Sequence, residues 1–225
     1  MKSKLPAHII VLITYLLTIF PLQTLAAPTC SMLKDQWNNL YVKDFDISLN
    51  KATFSCTNDN GILASTLYDL ETADFKPNPS GYKPNFYARI EKNVGHIKYD
   101  DGCPKSIAYT YEDTIYLCRQ FFIDNRISRA STLVHEMRHT QKDAPVHVSC
   151  DGGKYPEKLA CDQDFFDAHW EGSGYNADIF YLAWTLKRGM NNELSKSIIQ
   201  SEINWIIPDR FNNITDKMIK KWRRK

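Results

Sequence analysis

The chain has 225 residues, 43% of them hydrophobic, with 28 basic and 26 acidic side chains. That length suits one domain, or one domain with a small appendage, and the composition excludes a disordered chain. Eight of the basic residues sit at the two ends, Lys2 and Lys4 at the start and six more within 217–225. Without them 20 basic residues face 26 acidic ones, so the body is acidic and a nucleic-acid-binding body is excluded.

The first 26 residues read as a signal peptide. Lys2 and Lys4 precede an apolar run from Ile9 to Phe20, Pro21 breaks it, and Thr24-Leu25-Ala26 offers small residues for cleavage. The run is shorter than the about 20 residues a membrane helix needs. Export to a secreted or periplasmic location follows, with membrane contact only if the segment stays uncleaved. Six cysteines remain: Cys30, Cys56, Cys103, Cys118, Cys150 and Cys161. In an exported chain they imply three disulfides, and we expect sequential pairing, each bond closing a short loop. None has the spacing of a zinc knuckle.

Residues 27–85 form an N-terminal segment with a helix expected around Lys34–Tyr41. A loop or linker rich in proline covers Lys76–Pro84. Phe86–Ile90 alternates like a strand. Ala108–Tyr111 and Thr114–Cys118 carry β-branched and aromatic residues and suggest a hairpin turning at Glu112-Asp113. The period then changes: Ala130, Leu133, Val134 and Met137 form a helical stripe, with Asp124 or Ser128 as its cap. A long loop region spans 140–174. Helices follow at Asn176–Lys187 and from Glu193 to about Ile206, the latter stopped by Pro208. Strands followed by helices give an α+β domain over 86–216, and 217–225 is a basic tail.

The helical stripe carries His135-Glu136-Met137-Arg138-His139. Two histidines four apart project from one helix face, which lets both bind a single zinc ion. Glu136 follows the first of them and from there can act as general base on water that the zinc has activated. A catalytic zinc needs a third protein ligand. Candidates are Asp143, His147, Asp151, Asp162, His169, Glu171 and Asp178. Asp178 is favoured, because a carboxylate inside the apolar run 176–184 is costly unless paired or metal-bound. Tyr181, three residues on, could donate a hydrogen bond to the oxyanion. Arg138 is expected in a salt bridge or in solvent.

From Cys103 to His139 and on to Asp178-Ile179-Phe180-Tyr181, the chain resembles the deuterolysin-type (aspzincin) zinc metallopeptidases. The resemblance covers about residues 100–186. It implies a zincin-like domain, zinc ligands His135, His139 and Asp178, the base Glu136, and Tyr181 as transition-state stabiliser. The function expected is hydrolysis of peptide bonds in a peptide or protein substrate by a monomeric exported enzyme. Two alternatives stand: a zinc amidase acting on cell-wall peptides, and a secreted binding or toxin-like protein whose zinc is structural and closed by a fourth ligand such as His147 or His169.

Overall fold

A computed structural model describes residues 28–49, 53–73, 75, 77, 80–103, 106–150, 159–165, 172–188 and 193–214. The expected signal peptide, the basic tail, Asp151, His169 and Glu171 lie outside the described residues.

Helix α1 (Cys30–Gln36) starts at Thr29, whose hydroxyl accepts from the Met32 amide. It runs through a π-helical turn (Trp37–Tyr41) into α2 (Val42–Phe45). Strand β1 (Ile47–Ser48) and helix α3 (Asp59–Thr72) follow. Helix α4 (Phe86–Asn93) replaces the strand expected from Phe86. Asn85 caps it by accepting from the Ala88 amide, and Phe86, Tyr87 and Ile90 bury one face together. That spacing is helical, and the apparent alternation was accidental. Strand β2 (His96–Tyr99) was not foreseen. The hairpin β3 (Ala108–Tyr111) and β4 (Thr114–Leu117) turns at Glu112-Asp113 as expected, with Glu112 at φ 54°.

These strands make a sheet in the order β1-β2-β4-β3, with β1, β2 and β4 parallel and β3 antiparallel at the edge. A short helix α5 (Arg119–Ile123) leads to α6 (Arg126–His139). The cap of α6 is Asn125, which accepts from the Ile127 and Ser128 amides; Asp124 and Ser128 do not serve. A second sheet joins β5 (Val148–Ser149), β6 (Leu159–Asp164) and β7 (Phe211–Asn213). Helix α7 (Gly174–Arg188) packs along α6, and α8 (Glu193–Asp209) packs on α7. Pro208 lies inside the last turn of α8, so that helix runs past the stop expected of it.

One hydrophobic core runs from Leu33 to Phe211 and includes side chains from α1 and α3 as well as from α6, α7 and α8. The described part of the N-terminal segment therefore shares its core with the rest of the chain. Three disulfides close the pairs Cys30–Cys56, Cys103–Cys118 and Cys150–Cys161, the sequential pairing expected. Such bonds persist in oxidising compartments. No described helix is long and apolar enough to cross a membrane.

Candidate metal centre

Helix α6 turns its apolar stripe into the core, and Leu133, Val134 and Met137 are fully buried. The adjoining face meets α7 and the edge strand β3, and it carries His135 and His139 one turn apart. Beyond the helix the chain passes Pro145 and brings His147 back over the same spot. The three Nε2 atoms lie 3.2 Å (His135–His139), 3.1 Å (His135–His147) and 3.0 Å (His139–His147) from one another. They are the one group of three or more His, Cys, Asp or Glu side chains with metal-binding spacing among the described residues.

The outer nitrogens of two of these rings are held by carboxylates. His135 Nδ1 is 2.9 Å from Asp178 Oδ2, and His147 Nδ1 is 2.9 Å from Asp162 Oδ1. Asp178 also accepts from the Ser131 hydroxyl at 2.5 Å. Asp162, buried, accepts from the Asn176 main-chain amide at 3.0 Å and side-chain amide at 2.9 Å. An ionised carboxylate only accepts, so against one each Nδ1 carries the ring proton and each of these two Nε2 atoms presents a lone pair. Two lone pairs facing each other across 3.1 Å repel and have no proton between them. A cation removes that repulsion. A tetrahedral ion with bonds of ~2.0–2.1 Å sets its nitrogens about 3.3–3.4 Å apart, close to the spacing found. The group can hold a metal ion. Carboxylate-backed imidazoles are how protein metal sites fix ring tautomer and orientation.

Asp178, expected among the ligands, takes the Nδ1 side of His135 and stands outside the three-nitrogen group. His147, one of several candidates in the sequence, stands inside it. Burial holds His135 and His139 well below the usual imidazole range, His139 at about 2. Burial raises Glu136 to about 7, against the opposing hydrogen bond from Thr110, and raises Asp178 likewise.

Glu136 shares a cleft of about 1140 Å³ with the three histidines. Thr110 on β3 donates its hydroxyl at 2.9 Å to Glu136 Oε2, and the Glu136 carbonyl lies at the same distance from that hydroxyl. Tyr181 is elsewhere: it is buried edge-on against Phe86, 5.1 Å between centroids, and does not line the cleft. On α7 the cleft face is Tyr175, Asp178 and Leu182, at i, i+3 and i+7, and position 181 is rotated off it. Tyr175 packs on His135 (4.6 Å) and His147 (5.0 Å), with the Arg210 guanidinium 5.1 Å over its ring. Its hydroxyl has no hydrogen-bond partner among the described residues.

Two further residues fix the frame. Arg138, inside the motif, is buried. Its Nε donates to the Gly172 carbonyl at 2.7 Å, and its Nη1 reaches Asp143 at 3.0 Å and the Gln141 side chain. It ties the start of α7 and the segment after α6 to the motif helix. Gly174 lies against His135, where a Cβ would sit 2.3 Å from Nε2, so only glycine permits this approach.

His147 was one of seven candidates because nothing local separates it from solvated polar residues. The signal that marks it is its place three residues before Cys150, whose partner Cys161 precedes Asp162. No protein-family model, curated protein or solved structure matches the chain.

Proposed function

We propose that this protein is a zinc-dependent hydrolase of peptide bonds, with His135, His139 and His147 as zinc ligands and Glu136 as general base. The observation that carries this reading is the convergence of three Nε2 atoms, two of them on rings held by carboxylates, in an open cleft beside Glu136. Three ligands and an accessible cleft are features of catalytic zinc sites, whereas structural sites are closed by a fourth protein ligand. Among the described residues the group has three members, and it opens on the cleft that Glu136 lines.

Bound zinc supplies a Lewis acid for the scissile carbonyl and lowers the pKa of water beside it. The chain's own residues do the rest. Glu136 takes the proton from the attacking water at its carboxylate and delivers it to the leaving amine, while Thr110 fixes the orientation of that carboxylate. The hydroxyl of Tyr175, a residue that lines the cleft, donates to the oxygen that gains charge on the attacked carbonyl. This gives Tyr175 the role that the resemblance to deuterolysin-type enzymes implied for Tyr181. Asp178, implied there as a ligand, orients His135 instead. Export through residues 1–26 belongs to the same reading.

Purified protein is expected to carry about one zinc and to digest an unfolded protein such as reduced casein. Glu136→Gln should keep the metal and lose hydrolysis by a factor of at least 10². Protein that takes up no zinc on titration sinks the proposal. If zinc binds but only isolated peptidoglycan is cut, the cell-wall amidase takes its place.

A further inference from the structure

Two of the three histidines are held by a helix and the third is not. His135 and His139 are fixed by the hydrogen bonds of α6. His147 sits at the end of an irregular stretch, next to Val146, which is 77% exposed, and just before β5, a strand of only two residues. The pairing of β5 with β6 is irregular, with a register shift between Val148 and Ser149. So short a ladder holds an arm weakly.

Strand β6 is anchored far better. Asp162 donates its amide to the Arg210 carbonyl at 2.9 Å, receives both Asn176 amides, and pairs with Phe211 of β7. The Cys150–Cys161 bond joins this anchored strand to the His147 arm, both cysteines buried. Cys161 is the neighbour of Asp162, which holds His147 Nδ1, and it lies opposite Val148, the residue after His147. One covalent link thus sets both the ligand and the carboxylate that orients it.

We propose that Cys150 and Cys161 are positioning residues of the metal centre, so that the three-histidine site is completed only when this pair is oxidised. The proposal rests on the metal-binding reading above and adds its regulation. In a reducing compartment the chain has two preset histidines and a loose third. Oxidation removes two electrons and two protons from the thiols. They pass to an external disulfide by exchange through a mixed disulfide, and that disulfide leaves as a dithiol where it belongs to an oxidoreductase or as two thiols where it is of the glutathione class. The protein therefore gains its metal affinity upon reaching an oxidising compartment, the setting its three disulfides require.

The test is zinc affinity, measured by competition with a chelator, on four full-length proteins with the other two disulfides intact. These are wild type, His147→Ala, Cys150→Ser/Cys161→Ser, and the triple variant. The disulfide variant is expected to bind zinc on the order of 100-fold more weakly than wild type. Adding His147→Ala to it should cost little more, because the ligand is already lost. A general loss of stability would instead leave the two effects additive. Zinc affinity unchanged in the disulfide variant, or a full cost of His147→Ala in that background, overturns the proposal. Should the variant fail to fold by circular dichroism, wild type is partly reduced with a phosphine and its thiols alkylated. Native mass spectrometry then compares zinc occupancy of molecules capped only at Cys150 and Cys161 with intact ones in the same sample. Equal occupancy overturns the proposal, and lower occupancy in the capped molecules supports it. A wild-type protein that binds no zinc is a different failure, that of the metal reading itself.

Discussion

At the scale of single residues, the candidate centre is a set of three imidazole nitrogens, two of them on rings aimed by carboxylates. The cost of losing an aiming group differs from that of losing a ligand, and this separates Asp178 from His147. Asp178→Asn should weaken zinc binding by about 10–100-fold, since it disturbs the orientation and basicity of His135 but leaves its nitrogen in place. His147→Ala should weaken it more, having removed a donor. Isothermal titration with zinc checks the order, and a larger loss for Asp178→Asn would return that residue to the ligand set. The two tyrosines separate in the same way. Tyr175→Phe should lower kcat by about 10²–10³ with zinc content unchanged, as expected for loss of one oxyanion donor. Tyr181→Phe should leave kcat near wild type, because its ring packs on Phe86 and the phenol is remote from the cleft.

At the scale of elements, the site is where the N-terminus of α7 presses against the C-terminal half of α6. Gly174 makes that approach possible. In Gly174→Ala the added carbon would overlap the His135 ring, so either the ring turns or α7 backs away. Zinc affinity should fall by at least 10-fold, while far-UV circular dichroism stays that of the wild type; an alanine variant with full affinity would show that the contact is slack. The motif helix itself could be read from its stripe, because Leu133, Val134 and Met137 follow the period of a buried helix face. Phe86–Ile90 misled because five residues of mixed aromatic and aliphatic type satisfy two periods at once. Only the Asn85 cap and the burial of Phe86 with Ile90 distinguish them.

At the scale of the whole molecule, burial of the site makes metal and stability interdependent. In the metal-free protein His135 and His139 are depressed, so the unfolded chain binds more protons below pH 6.5 and stability rises with pH up to that point. Glu136 and Asp178 are raised, so the folded chain binds more protons above the ordinary carboxylate range. The stability they contribute is lost as pH rises through about 7, the value for Glu136. The two effects oppose each other between about pH 4.5 and 6.5, and above 6.5 only the loss remains. The thermal midpoint of chelator-treated protein should therefore fall from pH 6.5 to 8. Added zinc should restore it most at the alkaline end, where its charge offsets the ionised carboxyls. A midpoint flat across that range in the metal-free protein would contradict the burial of these groups.

The sequence by itself determined what is local or set by spacing. Two histidines and a glutamate share a helix face because a helix repeats every 3.6 residues. Six cysteines in an exported chain imply three disulfides, though their sequential pairing was an expectation that the structure decided. The β3–β4 hairpin turns where its alternation breaks. Only the tertiary structure decided which distant side chain joins the two histidines. His147 and Asp178 are 8 and 39 residues beyond His139, and both are plausible donors by chemistry. The choice depends on how α7 packs on α6 and where a disulfide pins an irregular arm. Burial cost correctly marked Asp178 as a carboxylate needing a partner, yet it could not say whether that partner was a metal or the back of an imidazole. The two environments satisfy the same charge, and the fold alone distinguishes them.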